Sequence, residues 1–375
     1  MTDARFKGLT WDHPRGYDAL AAAELAFPGL IHWDKQPLEG FESTPIDEIC
    51  AAYDVVVLDH PHLGDALASN CLLPLDRLIA PDELAAVRQR TIGPCFDSYV
   101  MDDHSWALPL DAAAQVSAGR QDLMSEPMPE CWADVARIAA TDSGFIMSLA
   151  GPHAFLSLLS LCATFDDRFG EVGDGFFQPH HDDSVALFLD LLFRSHPAGV
   201  THNPIGILTA MATGAGPTYC PLVFGYVPFA DITAVEPVVF RNAPTAGGHP
   251  RAVLGGTGLA ITARCVPDRA LLDHLLWLMS AGVQAEFLPR HNGQPSAEVA
   301  WSALALNATN NGFYAETLST LRHALVRPRV PGFVVAQNRA ASWLRGLREG
   351  SAPTPSVARG AINRILTQET ANHAV

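Results

Sequence analysis

The feature that most constrains this chain is an apolar segment that ends one domain and leads into another. It reads Trp106-Ala107-Leu108-Pro109-Leu110-Asp111 and continues through three alanines to Gln115. A polar stretch follows, and then Pro129-Glu130-Cys131-Trp132, which is typical of a helix start. The order predicts a strand that leaves a first domain at a proline and enters a second. A chain of 375 residues is also long for one domain, so we expect two.

Composition limits the class of partner. Hydrophobic residues make up 48% of the chain and charged residues 17%, which is enough apolar material for a large core. The net charge of -16 argues against nucleic acid and against an anionic membrane surface, because both require clustered lysine and arginine. No window reaches the roughly 18 apolar residues of a membrane span. We therefore expect a small-molecule ligand, no nucleic acid and no membrane insertion.

The cysteines and the N-terminus bear on location. Seven cysteines are scattered singly, without a C-x-x-C motif or zinc spacing, and an odd, dispersed count suits a reducing compartment. The first ten residues contain no apolar leader. We expect a cytoplasmic chain as it stands, or a periplasmic or extracellular one if an export signal was removed. No cofactor is expected.

Strands and helices alternate through the first hundred residues. Apolar runs at residues 6–10, 30–33 and 54–59 predict strands, and helical patterns lie between them. This alternation is typical of βαβ units with a largely parallel sheet. The loops after the strands, 11–15, 40–43 and 59–62, should converge at the carboxyl edge, where ligands bind in such sheets. Beyond the crossing, we predict a strand at 144–149 and apolar helices from 152 onward.

Three motifs carry a resemblance to a known family. They are the crossing strand, the helix start with its Pro129-x-Cys131-Trp132-x-x-Val135 pattern, and a strand reading Gly255-Gly256-Thr257-Gly258-Leu259-Ala260-Ile261. In this order and spacing the chain resembles the bacterial extracellular solute-binding proteins of family 1, the receptors of carbohydrate ABC importers. The tail from Arg327 onward matches that family as well.

The resemblance implies an α/β, two-domain periplasmic-binding-protein-like fold (type II), with crossing hinge strands and the ligand cleft between the domains. The first domain would take residues 1–108 plus 249–300, and the second 111–246 plus 303–375. Pro109, Gly247 and Gly255 would lie at the crossings. The implied function is capture of a carbohydrate-like or other polar small molecule by hinge closure for an ABC importer, without catalysis. ABC permease subunits would be partners if the chain is exported.

Candidate ligand residues follow from what a sugar receptor needs, which is aromatic faces against C–H surfaces and planar polar groups against hydroxyls. The aromatic candidates are Trp11, Phe41, Tyr219, Phe224 and Tyr226, and the polar candidates are Asp12, His13, Arg15, Glu42, Asp59, His60, Asp111 and Gln115. Gly256 is added because a glycine lets the crossing strand pass close to other backbone and to the ligand. Trp11 is expected to be exposed, because it stands in a polar loop, whereas Trp132, Trp277 and Trp343 are expected in the core.

Two charged features leave alternatives open. Arg15 stands at a helix start, where backbone N–H groups also favour an anion, so an acidic ligand group fits there. A solvated arginine or a partner for Asp12 explains it equally well. The histidine-rich segments 59–62 and 180–183 lack the helical spacing of a built metal site, so no metal is expected.

The alternative function is an intracellular enzyme or ligand sensor on the same scaffold. Cys220, in Pro217-Thr218-Tyr219-Cys220-Pro221, is its candidate nucleophile. A cysteine nucleophile needs a neighbouring base or positive charge, and the sequence shows neither beside Cys220. A buried structural cysteine is the favoured interpretation.

Overall fold

The computed structural model describes residues 4–170, 176–214, 216–234 and 238–373, apart from the side chains of Glu39, Glu42 and Ser43. The chain forms two compact units. The first comprises Met1–Ala113, Gly255–Leu306 and Arg329–Pro331, and the second Ala114–Leu254, Asn307–Pro328 and Gly332–Val375. The outward crossing thus falls after Ala113 rather than at Pro109, and the first return crossing falls at Gly255.

The first unit is built on a mixed sheet. Its strands are β1 (Phe6–Trp11), β2 (Ile31–Gln36), β3 (Val55–Leu58) and the start of β6 (Leu108–Gly119), and a separate ribbon is formed by β4 (Val100–Met101) and β5 (His104–Ser105). The second unit holds the end of β6 with β7 (Tyr219–Phe224) and β8 (Val239–Arg241), and β9 (Leu254–Ile261) returns to the first unit. β1 pairs in parallel with β2 and β3, as predicted, whereas β9 runs antiparallel to β3.

Helices cover these strands. The first unit contains α1 (Pro14–Ala26), α2 (Leu38–Ser43), α3 (Ile46–Ala52), α4 (Leu63–Ala68) and α5 (Pro81–Arg90). The second unit contains α6 (Trp132–Thr141), α7 (His153–Phe165), α8 (Asp182–Arg194) and α9 (Pro204–Ala212). The later helices are α10 (Arg269–Leu278), α11 (Leu288–Arg290), α12 (Glu298–Trp301), α13 (Leu304–Thr309), α14 (Phe313–Arg322), α15 (Phe333–Gly346) and α16 (Pro355–His373). α10 to α12 belong to the first unit and α14 to α16 to the second.

The core of the second unit forms around α7. Residues 153–164 of this helix are all buried, because it is apolar on every face and packs against α8 and α15. The expectation that Trp132 lies in the core is confirmed. The strand predicted at 144–149 is wrong. That segment makes one bridge, from Phe145 to Tyr219, and otherwise bonds to loops through Met147 and Leu149.

The start of β9 passes unusually close to β6. Gly256 has a φ of +102°, and a Cβ built on it would lie 2.4 Å from the carbonyl oxygen of Asp111 and 2.9 Å from Cα of Ala112. Only glycine allows both this dihedral angle and this approach. The glycine in the crossing strand is therefore required by the backbone of the first unit itself.

We expect Gly256→Ala to lower the free energy of unfolding by at least about 2 kcal/mol, because it adds a left-handed alanine and a clash with backbone. Gly248→Ala is the matched control, since nothing lies within 4 Å of a Cβ at Gly248. It should change stability by less than about 0.5 kcal/mol. Urea denaturation of both variants checks this, and equal stability would show that β9 shifts without cost.

His274 is a buried histidine in α10. It is 3% exposed, contacts Phe27 edge-on at 4.7 Å and stacks on Trp277 at 5.6 Å. Its Nδ1 makes no hydrogen bond within the described part of the chain. Burial lowers the pKa of His274 to about 4, so the ring is neutral in the folded protein at neutral pH.

Stability should therefore depend on pH through His274. The unfolded histidine takes up its proton near pH 6.5, whereas the folded one does so only near pH 4. The stabilisation is complete above pH 6.5 and is lost as the pH falls toward 4, by about 3 kcal/mol in total. We expect this loss to be smaller in His274→Phe. Urea denaturation between pH 4 and 7.5 measures it, and parallel curves for wild type and variant would contradict the assignment.

Candidate functional site

A buried ion pair stands at the carboxyl edge of the first unit's sheet. Arg15, in the first turn of α1, donates from Nε to Oδ2 of Asp111 at 2.8 Å and from Nη2 to Oδ1 at 2.5 Å. The side chains are 4% and 6% exposed. Burial raises the pKa of the Asp111 carboxyl, and the charge of Arg15 acts in the opposite direction. The two-bond geometry is the strong form of an arginine–carboxylate contact.

This pair changes the interpretation of Arg15. The guanidinium is neither a solvated surface group nor a partner of Asp12, because its partner is Asp111. Asp12 instead pairs with Lys35, with a nitrogen–oxygen distance of 2.7 Å, and its side chain is 53% exposed. Since Asp111 already balances the charge of Arg15, the reason to expect an acidic ligand group there is removed.

His13 starts helix α1 beside this pair. Its Nδ1 accepts a hydrogen bond from the backbone N–H of Arg15 at 3.1 Å, so the ring acts as the helix N-cap. Burial, followed by the charge of Arg15, lowers the pKa of His13 to about 4. The imidazole is therefore neutral near pH 7, which its role as an acceptor requires.

Trp11 lies in the core rather than in an exposed loop. It is the last residue of β1 and is 2% exposed, which corrects the expectation from its polar neighbours. Its ring stacks on His13 at 5.2 Å and contacts Phe41 at 6.0 Å. A Cβ on Gly16 would lie 2.2 Å from it, so the helix start closes over the ring. Here the helix that follows β1 covers Trp11, and the polar residues next to Trp11 in the sequence do not reveal this.

The other two predicted segments reach the same edge. Phe41 is buried in α2, so residues 40–43 are helical rather than a loop.

Asp59 follows β3 and is close enough to Asp111 to raise the pKa of that carboxyl. His60 is fully buried, 3.1 Å from Asp59, and forms an edge contact with Tyr99 at 6.4 Å. The side chain of Glu42 lies outside the described residues. The first unit thus brings together most of its predicted site residues, but not Asp12.

Gln115 anchors a separate polar network in the second unit. Its Oε1 accepts from Ser160 at 2.6 Å, and its Nε2 donates to Ser157 at 3.4 Å. Ser160 Oγ also accepts from the backbone N–H of Val253 at 2.8 Å. All three side chains are fully buried. The network joins β6 to α7 and fixes the orientation of the Gln115 amide.

The aromatic candidates of the second unit differ in burial. Tyr219 is fully buried, and its hydroxyl lies 3.3 Å from Ser117 Oγ, so it is a core residue. Burial raises its pKa. Tyr226 is 4% exposed and precedes a 3-10 turn at Val227–Ala230. Phe224 is only half-buried and makes an edge contact with His153 at 5.8 Å. Phe224 is therefore the most accessible of the three.

Two buried polar residues, one of them in contact with Phe224, were not predicted from the sequence. His153 is the first residue of α7 and is 1% exposed. Ser148 lies shortly before it, and its buried hydroxyl has no hydrogen-bond partner among the described residues. The sequence Gly151-Pro152-His153, which interrupts an otherwise apolar run, could have drawn attention to His153. A polar residue at a buried helix start must find a hydrogen-bond partner.

Cys220 is a structural cysteine. It lies in β7, is fully buried, and contacts the carbonyl oxygen of Leu222 at 3.5 Å through its sulfur. Burial raises the pKa of Cys220 to about 12. A thiol held neutral in this way is a poor nucleophile, so the enzyme alternative finds no support in its proposed residue.

One group has the spacing of metal ligands within the described residues. Asp166 Oδ2 lies 3.1 Å from His180 Nε2 and 3.0 Å from His181 Nε2. His181 Nδ1, however, accepts a hydrogen bond from the backbone N–H of Gln178 at 2.9 Å. The proton of a neutral His181 is therefore on Nε2, where it is donated to Asp166. That tautomer leaves no Nε2 lone pair for a metal, and the group instead closes the end of α7.

A surface pocket of about 320 Å³ lies in the second unit and includes none of the predicted ligand residues. It is lined mainly by polar groups around Glu126, Arg137 and Asp142. Arg137 already pairs with Glu126 at 2.8 Å. No aromatic side chain lines this pocket, so it does not have the aromatic faces expected of a sugar site.

Comparison with known proteins places the fold. No family model and no curated protein sequence matches the chain. It is similar to an ABC transporter solute-binding protein from Agrobacterium radiobacter K84 in complex with ribitol, at 18% identity and a TM-score of 0.79, over 98% of this chain and 99% of that one. Maltose-bound T. maritima MalE3 matches at 16% identity and a TM-score of 0.79, over 97% and 99%.

A third similar structure is the solute-binding protein from Agrobacterium vitis S4 with bound D-mannitol, at 17% identity and a TM-score of 0.72, over 98% of each chain. The predicted two-domain periplasmic-binding-protein-like fold is thereby confirmed. None of the helices within the described residues has the length and apolar character needed to cross a membrane.

The burial of Trp11 gives a direct test. We expect Trp11→Ala to lower the free energy of unfolding by about 3–5 kcal/mol, because a buried indole leaves a large cavity. Asp12→Ala, one position along, should cost less than about 1 kcal/mol, because it removes only an exposed ion pair. Urea denaturation without ligand measures both. Unchanged stability of Trp11→Ala would restore the interpretation of Trp11 as an exposed stacking residue.

Proposed function

We propose that the chain is a solute-binding receptor, not an enzyme, that captures a carbohydrate or polyol by hinge closure and delivers it to an ABC importer. The observation that carries this is the likeness, over nearly the whole chain, to solved structures that contain ribitol, maltose and D-mannitol. The Arg15–Asp111 pair supports it, because fixed polar groups can orient ligand hydroxyls, whereas the rings of Trp11 and Phe41 are buried in the core.

The charge balance favours an uncharged ligand. Arg15 and Asp111 neutralise each other, and His13 is neutral at pH 7, so this buried group carries no net charge that would attract a charged ligand. A sugar acid would add a net negative charge to this buried and balanced group, which is costly. Hydroxyl groups, in contrast, can donate to Asp59 without adding charge.

The non-enzymatic part of the proposal rests on Cys220. Its burial and raised pKa remove the candidate nucleophile, and the two similar Agrobacterium structures are named as solute-binding proteins. The site residues and the location stay predictions. For the location we propose the cytoplasm, with the periplasm or the extracellular space as the alternative if the chain is exported to serve a permease. Fractionation of the producing cell distinguishes these locations.

A thermal-shift screen tests the ligand class. We expect ribitol, D-mannitol or maltose to raise the melting temperature, by the equivalent of about 2.7 kcal/mol at a hundred times Kd. The matching sugar acids should give a smaller shift.

Small-angle scattering at saturation should show a smaller radius of gyration, and the ligand should be recovered unchanged after long incubation. Conversion of the ligand would contradict the receptor, and an unchanged radius would contradict closure.

Two neighbouring carboxylates provide matched variants for the same experiment. Asp59→Asn should weaken binding of the ligand found in the screen by roughly 10-fold or more, because a charge-assisted hydrogen bond is lost. Asp12→Asn should change the affinity less than about threefold, because Asp12 faces solvent and Lys35. Calorimetric titration gives both constants. If both variants changed the affinity equally, the ligand would not bind beside the Arg15–Asp111 pair.

A further inference from the structure

Two of the seven cysteines lie next to each other in the first unit. Cys50 is in the last turn of α3 and belongs to a buried core cluster with Val56 and Leu58 of β3. Cys71 follows α4, is half-buried, and packs against the same cluster. α3 and α4 pack against each other as well. The sequence shows only two single cysteines, and the fold brings them together.

Hydrogen bonds from the residues just after β9 hold the backbone near both cysteines. Thr262, just after β9, donates from its backbone N–H to the carbonyl oxygen of Asp54 at 3.0 Å, and it bridges to Leu72. Its neighbour Ala263 donates from its N–H to the carbonyl oxygen of Cys71 at 2.8 Å. The segment that follows Cys50 and the segment that contains Cys71 are therefore held by the same two residues.

The two thiols also interact directly. A hydrogen bond between their side chains is the main cause that lowers the pKa of Cys71 and raises the pKa of Cys50. Cys50 is buried and Cys71 is only half-buried, so Cys71 is the thiol that a disulfide in solution can reach and attack.

We propose that Cys50 and Cys71 form a reversible disulfide when the protein meets a low-molecular-weight disulfide such as oxidised glutathione. The Cys71 thiolate attacks one glutathione sulfur, breaks that S–S bond and releases one glutathione thiolate. The Cys50 thiol then loses its proton, attacks the Cys71 sulfur and releases the second glutathione. Two protein thiols are oxidised to one disulfide, and one glutathione disulfide is reduced to two thiols.

This bond would close a loop that contains β3, Asp59, His60 and α4. It would therefore constrain the segment that carries part of the candidate ligand site, although the inference does not depend on the proposed function. The other cysteines lack this arrangement. Cys95, Cys162, Cys220 and Cys265 are buried, and burial raises their pKa. Cys131 is half-buried like Cys71, but its sulfur contacts a carboxylate, Asp134, at 3.2 Å.

The test is incubation of the folded protein with oxidised glutathione, followed by alkylation in denaturant and peptide mapping. We expect the number of free thiols to fall by two through a Cys50–Cys71 bond, and dithiothreitol to restore both. In Cys50→Ser, a glutathione adduct should persist on Cys71, because the resolving thiol is missing. In Cys71→Ser, Cys50 should stay reduced, because it is buried.

Cys131→Ser is the matched control, and it should form the Cys50–Cys71 bond as the wild type does. Circular dichroism confirms that each variant is folded before oxidation. Any of three results in the wild type overturns the proposal. They are a persistent glutathione adduct on Cys71, a disulfide that involves another cysteine, and retention of both thiols while Cys131 is modified.

Discussion

The first unit is organised around two opposite charges removed from water. Arg15 and Asp111 are far apart in sequence, and each would be very costly to bury alone. Their two-bond contact fixes the start of α1 against β6, and the residues around them follow from it. His13 must be neutral to cap the same helix, and Trp11 is covered by the helix start that Arg15 holds.

At the proposed ligand site, the same pair favours an uncharged ligand. A free arginine at a helix start would attract an anion, but a paired one presents fixed, oriented dipoles with little net charge. Hydroxyl groups suit such a surface better than carboxylates. The geometry of Arg15, Asp111 and Asp59 is therefore suited to the proposed carbohydrate or polyol ligand.

Several polar residues of this protein hold its helices and strands together. Gln115 fixes α7 against β6, and Asp166 holds two histidines at the end of α7. His274 is buried among aromatic rings, and burial is what lowers its pKa. Each of these residue types also occurs in binding sites, and the hydrogen-bond partners decide between the two roles. The tautomer of His181 shows how a single backbone contact settles such a choice.

The sequence by itself determined the order of strands and helices, the crossing segment near Asp111 and the need for glycine at 256, because periodicity and glycine reflect local backbone requirements. It placed the strand at 144–149 incorrectly, since that segment pairs with loops. Only the tertiary structure decided that Trp11 is buried, that Arg15 is paired and that Cys50 meets Cys71. These are contacts between distant parts of the chain, and their burial and distance depend on how helices pack on the sheet.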